Sequence, residues 1–318
     1  MRAILLGILS ALFFAVTFVL NASMEQAGGH WAWSASLRYF FMLPFLGIIV
    51  ALRRQFQPLV ASMRQHSGRW VCWSIVGFGL FYAPLCFAAM YAPGWLIAGT
   101  WQFTIIAGAL LSPLFFVRVG TSMVRARIPW RMLGLSTIVL VGIVLMQLEH
   151  AQQMTMSTVL LGMLPILVAA FMYPLGNRKM MALTNGQLGV FERILGMTIA
   201  SLPFWIGLAL YGLIVSGMPS TLQVTQSFIV AVSSGVIATA LFFAATDLVQ
   251  GNMVKLAAVE ATQAFEVLFA LIGEMLLLSI MLPSTLGVLG IMIVMLGMIL
   301  QSIYLIIQAK KMPNNVNI

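Results

Sequence analysis

Long apolar runs alternate with short polar connections along the whole chain. Ten runs are recognisable, at roughly 3–23, 33–52, 70–90, 94–117, 130–147, 157–175, 190–216, 227–248, 253–281 and 285–307. Each is about 18 residues or longer, enough for an α-helix to cross a hydrocarbon core about 30 Å thick. The pattern predicts an all-α polytopic membrane protein with ten transmembrane helices.

The runs also repeat. Gly7 to Met24 (GILSALFFAVTFVLNASM) lies over Gly162 to Lys179 (GMLPILVAAFMYPLGNRK), Leu37-Arg38 over Glu192-Arg193, and Leu85 to Tyr91 (LCFAAMY) over Leu241 to Asp247 (LFFAATD). The offset stays at 155 to 156 residues. The chain therefore divides into a first five-helix repeat, 1–147, a second, 157–307, and a tail, 308–318. Five crossings are an odd number, so the second repeat enters the membrane inverted relative to the first, as in many secondary transporters.

Composition agrees with a bilayer as the solvent. Hydrophobic residues make up 62% of the chain and charged residues 7%, against about 25% charged in soluble domains. The formal charge of +9 is not a nucleic-acid footprint, because fourteen of the sixteen Lys and Arg lie in alternate connections or at the ends. Arg2, Arg53, Arg54, Arg64, Arg69, Arg118, Arg125, Arg127, Arg131, Arg178, Lys179, Lys255, Lys310 and Lys311 all fall on one side, the cytoplasm by the positive-inside rule. Both termini are then cytoplasmic. Cys72 and Cys86, about 21 Å apart along one helix, are too distant for a mutual disulfide.

The longest polar stretches, Arg53 to Arg69 and Arg118 to Pro129, are too short for a nucleotide-binding domain. The chain contains no GxxxxGK[ST] phosphate loop, HExxH, CxxC pair or GxSxG elbow. No catalytic residue, metal site or cofactor is expected, and function must reside among the helices. Asn21-Ala22-Ser23 fits a glycosylation sequon, but it abuts the membrane. Pro174-Leu175-Gly176 forms a cluster of helix breakers in the second repeat.

Charge and polarity inside the apolar runs are the candidate chemistry. Glu266 sits near the middle of the ninth run, where a carboxylate normally faces a cavity or a partner; Glu260 and Glu274 share that run. At 100° per residue Glu266 lies about 120° from Glu260, so one narrow stripe cannot hold all three. Glu266 is the candidate substrate-binding and proton-coupling group, with Glu260 as a second coupling candidate and Glu274 as an interfacial charge. Arg38 and Arg193 are equivalent in the repeat and fall at opposite mouths of one path. They read as mirrored gates, with snorkelling to the interface as the plain alternative, and Glu192 and Asp247 as charge partners. Gln102 and Gln263 correspond at an offset of 161 and suggest a shared central site. Trp101, Tyr82 and Tyr173 are candidate aromatic lining. Ile105 occupies the first-half counterpart of Glu266. Glycines at 134 and 142, and at 290 and 297, are placed for close helix packing or subunit contact.

Trp31 to Pro44 (WAWSASLRYFFMLP), Gly77 to Phe116 and Tyr173 to Met181 (YPLGNRKMM) carry a resemblance over essentially the whole chain. On these stretches the chain resembles the bacterial multidrug resistance efflux transporters of the drug/metabolite transporter (EamA-like) superfamily. The resemblance implies ten helices and export of small organic molecules from the cell membrane by alternating access. In related four-helix exporters a first-helix glutamate handles drug cations and protons; here the first run, Ala3 to Asn21, contains no acid. Expected partners are a small-molecule substrate, the lipid bilayer, a proton as candidate coupling ion, and a second copy of the chain as candidate dimer partner. The rival readings are export of amino acids or other metabolites through Arg38 and Arg193, and, outside transport, a lipid scramblase or membrane scaffold.

Overall fold

A computed structural model describes residues 2–119, 122–248, 259 and 262–311. It is almost wholly helical. The exception among the described residues is a short antiparallel hairpin, β1 (Phe116–Val119) with β2 (Ser122–Arg125), in register Phe116 to Arg125. Seven helices are long and apolar enough to cross a membrane, and eight if a pair bent by 49° is counted as one span.

The first half of the chain begins with α1 (Arg2–Gln26) and α2 (Trp31–Leu52). A short surface helix, α3 (Phe56–Gln65), buries only Leu59. The third run is α4 (Ser67–Ser74), a π turn at Ile75–Gly79, and α5 (Leu80–Ala88). The fourth is broken into α6 (Gly94–Trp101) and α7 (Thr104–Leu110), and α8 (Trp130–Gln153) follows. In the second half α9 (Met156–Thr184) is followed by the bent pair α10 (Val190–Ala200) and α11 (Leu202–Ser216). Then come α12 (Thr221–Val230), a π segment at Ala231–Ala238, and α13 (Thr239–Asp247). A 3-10 turn at Thr262–Ala264 leads into α14 (Phe265–Leu277), and α15 (Thr285–Lys311) ends the described chain.

Two expectations need correction. The fourth run does not stay helical to residue 117: it breaks at Gln102-Phe103 and ends at Leu110. Pro113 has no N–H to continue the ladder and opens a 3-10 turn, after which β-branched Val117, Val119 and Val124 favour the hairpin. The first helix, by contrast, runs past Asn21 to Gln26 and so includes one acid, Glu25.

Small and polar residues bring the helices together. Gly77, in the π turn, crosses directly over Gly176 of α9, where a Cβ on Gly77 would stand 3.2 Å from the Gly176 Cα. Two residues earlier Pro174 leaves the Ala170 carbonyl without its i+4 amide, and the Thr104 hydroxyl of α7 donates to it at 3.2 Å. The α8–α15 pair is equally tight: a Cβ on Gly142 would lie 2.7 Å from the Gly290 carbonyl, and one on Gly297 would lie 2.7 Å from Val139. Gly142, Gly290 and Gly297 are thus spent on packing within the chain. Gly134 has nothing within 4 Å of its added Cβ.

Two buried glutamates terminate helices from a distance. Pro93 stands at the N-cap of α6 and offers no side-chain acceptor. Glu274, fully buried on α14, accepts from the Gly94 and Trp95 amides at 2.7 and 2.8 Å instead. It satisfies two of the orphan donors of that helix start. Glu274 is therefore a structural cap and not an interfacial charge. Glu149 does likewise for α15, accepting from the Ser284 amide at 2.7 Å.

Candidate functional site

Thr17 and Asn21 are four residues apart on α1 and face α2, α5 and the π segment at Ala231–Ala238. Thr17 donates to Ser234 Oγ at 2.6 Å, tying α1 to that segment, while Ser10 donates to the Ala238 carbonyl at 2.9 Å. Asn21 pairs with the Tyr82 hydroxyl at 3.3 Å. Its side chain is 3% exposed, which removes the glycosylation reading.

Arg38 projects from the second turn of α2 into this polar seam. It is 8% exposed, so its head does not snorkel to the interface. The guanidinium carbon lies 4.1 Å above the Tyr82 ring, within cation–π range. Nη1 donates to Thr17 Oγ1 at 3.5 Å, a long contact, and Nε is buried with no acceptor. Among the described residues no carboxylate is paired with it. Tyr39 next to it stacks on Trp205 at 4.2 Å and 12°, and Trp205 donates to Ser201 at 3.0 Å, so the floor behind Arg38 is rigid.

A second aromatic cluster lies beside the first. Phe81 brings Trp101 (5.0 Å) and Tyr173 (4.7 Å) together, and these two meet edge to face at 5.5 Å. Phe81 also contacts Tyr82 at 6.0 Å, so the three expected aromatics form one continuous wall. Tyr173 is 38% exposed and lies in the electrostatic reach of Glu266, Arg38 and Arg193 alike.

Glu266 is in the first turn of α14 and 7% exposed; it makes no hydrogen bond or ion pair among the described residues. Arg193 on α10 is half-buried and equally unpaired among them. Glu192 is 2% exposed, but it does not pair with Arg193. It turns to a shallow cleft of about 470 Å³ with Arg53, Gln55, Gln187 and Gly189, and its Oε2 has no hydrogen-bond partner. Gln102 and Gln263 both sit at helix breaks, and each donates its amide to a backbone carbonyl: Gln102 to its own helix at Ala98, 3.2 Å, and Gln263 across to Gly7 of α1, 3.3 Å. Glu260 lies outside the described residues, as does the side chain of Asp247, whose backbone ends α13.

Thr17, Asn21, Ser234 and Phe81 belong to the site, and sequence reasoning does not single them out. Glu25 is a further omission: on the Asn21 side of α1, it acts electrostatically on Cys86 and keeps a buried, unpartnered Oε1. Its position one turn beyond Asn21 is the signal that could have found it.

An apolar exterior, seven helices long and apolar enough to cross a membrane, and a core that holds buried charges and aromatic rings define a multi-pass membrane protein. Residues 1–307 match the family described as "Putative multidrug resistance efflux transporter" (EmrE), and the chain belongs to that family. It is 56% identical over 306 residues to "Uncharacterized protein YjlA" of Bacillus subtilis (strain 168), covering 95% of this chain and 94% of that one. It is also 53% identical over 248 residues to "Uncharacterized 42.1 kDa protein in intracellular alkaline protease 3'region" of Shouchella clausii, covering 78% and 65%. A solved structure titled "Crystal structure of protein" shares the fold at a TM-score of 0.58 and 14% identity, over 97% of this chain and 98% of that one.

Proposed function

We propose that the chain is a secondary transporter of the cell membrane that exports small organic molecules by alternating access. It would make ten crossings as two inverted five-helix repeats, with both termini in the cytoplasm. The observation that carries this reading is a pair of buried charges, Arg38 and Glu266, neither with an opposite charge paired to it among the described residues, set against an aromatic wall in an otherwise apolar core. Burying an ion without a counter-charge costs several kcal/mol, a cost that a packing role does not offset and a ligand or proton site does. The repeat adds support: the two π segments begin at Ile75 and Ala231, 156 residues apart, the same spacing as the sequence repeat. Paired π segments are where helices of this kind bend, and they are frequent at functional sites.

In this mechanism Glu266 takes up and releases a proton as the cavity opens to one side and then the other. Arg38 and Arg193 stand at opposite mouths. Glu266→Gln in reconstituted vesicles is the test: substrate counterflow persists, whereas uptake driven by a pH gradient falls to the level of empty liposomes. Unchanged pH-driven flux would remove the coupling role.

A further inference from the structure

We infer that the cargo carries a carboxylate and that Arg38 is its anchor, an assignment that rests on the transport reading above and supplies its substrate class. Of the cationic side chains in the helices, Arg178 is satisfied by the Gly108 carbonyl at 2.7 Å. Arg38 is satisfied only in part: the Tyr82 side chain and, at 3.5 Å, the Thr17 hydroxyl face the guanidinium, while Nε has no acceptor and no carboxylate of the described residues is paired with it. A guanidinium presents a planar fork of donors that matches a carboxylate with two parallel hydrogen bonds. Here that fork is held in place rather than free. Tyr82 lies under it at 4.1 Å, Asn21 fixes the Tyr82 hydroxyl, and Thr17 is fixed by Ser234. The held geometry lowers the ordering cost of binding.

The remainder of the cargo is defined by what borders this anchor. The exposed aromatic surface of Tyr173, with Phe81 and Trp101 behind it, suits a flat or apolar body. Glu266, in reach of the same phenol, offers a place for an amine when the cargo has one. An organic acid and a zwitterion share the carboxylate, and they differ only in whether Glu266 is engaged.

Three probes with one phenyl body separate these cases: 3-phenylpropionate, phenylalanine and phenethylamine. Binding to the detergent-solubilised full chain is read by ligand-dependent thermal stabilisation and tryptophan fluorescence, without any gradient. 3-Phenylpropionate and phenylalanine should bind, and phenethylamine should bind at least about tenfold more weakly, as expected for losing a charge-assisted bidentate contact. Arg38→Gln should weaken both carboxylates by a similar factor. Arg38→Lys, which keeps the charge and loses the fork, should fall between. Tighter binding of phenylalanine than of 3-phenylpropionate identifies a zwitterion as cargo, and the reverse an organic acid. If Arg38→Gln unfolds, the comparison of the three probes on the native chain and on Arg38→Lys still decides. The assignment is overturned if phenethylamine binds as well as the carboxylates, if none of the three binds, or if the Arg38 variants bind the carboxylates as tightly as the native chain. Carboxylate binding without flux in liposomes would sink the transport reading and leave the anchor standing. Flux of phenethylamine insensitive to Arg38 would do the opposite.

Discussion

Glu274 is the residue whose role is most sharply set by its surroundings. It reaches 180 residues back along the chain to close the start of α6, where the N-cap proline supplies no acceptor for the Gly94 and Trp95 amides. Glu274→Ala leaves two donors of a buried helix start unpaired, at a cost of about 2 to 4 kcal/mol. Thermal unfolding in detergent should register it, with Glu274→Gln, which retains one acceptor oxygen, losing about half as much. A Glu274→Ala chain as stable as the native one would refute the cap. Single side chains are unevenly legible in the sequence for a related reason. A charge or a ring in an apolar run is visible by contrast, which is how Arg38, Glu266, Tyr82, Trp101 and Tyr173 stand out from the residue pattern alone. Thr17 and Asn21 are not visible in that way, because their importance lies in Ser234, Arg38 and Tyr82, which neighbour them only after folding. The sequence suggests an interfacial charge at Glu274 because its distance from the middle of the run is legible and its partner on α6 is not.

At the scale of elements, hydropathy locates the apolar segments well and their internal breaks poorly. Helices need only a long apolar run, whereas a π turn depends on local crowding, and a crossing such as Gly77 over Gly176 depends on which helices meet. Pro174-Leu175-Gly176 has the composition of a breaker cluster, but α9 runs through it without interruption. Pro174 is tolerated there because Thr104 takes up the freed Ala170 carbonyl. The hairpin at Phe116–Arg125 escapes for the opposite reason, since Phe116 and Val117 count toward an apolar run that does not distinguish strand from helix and the rest falls in the polar connection from Arg118. The glycine crossing has a direct consequence. Gly176→Ala forces a methyl into the backbone of the π turn, and overpacking of this kind costs about 1 to 3 kcal/mol. Gly134→Ala, with open space around it, should be neutral or slightly stabilising, since Ala is the better helix former. Unfolding midpoints of the two variants measured side by side separate a close crossing from a general intolerance of glycine replacement. Equal midpoints would mean that the π turn yields.

For the whole molecule, the two arginines that the repeat makes equivalent do not have equivalent surroundings. Arg38 is 8% exposed and backed by the Tyr39–Trp205 stack, while Arg193 is half-buried on a helix bent by 49°. On the inverted-repeat reading such inequality is what one end-state of an alternating-access cycle requires: the path is shut at the Arg38 mouth and less closed at the Arg193 mouth. Tyr173 makes the asymmetry measurable, because it is 38% exposed and both arginines act on it electrostatically. Both native cysteines are free and Cys72 is exposed, so the experiment uses a chain in which Cys72 and Cys86 are replaced. Tyr173→Cys in that background should react with a membrane-impermeant thiol reagent supplied from the cytoplasmic face and resist it from the outer face. A saturating outward gradient of a transported compound should raise the outer-face rate as the opposite state becomes populated, since a ligand shifts the two states only through its different affinity for them. Equal labelling from both faces, unaffected by ligand, would describe an open pore. Labelling from neither face would place Tyr173 against lipid and dissolve the cavity on which the inverted-repeat mechanism depends.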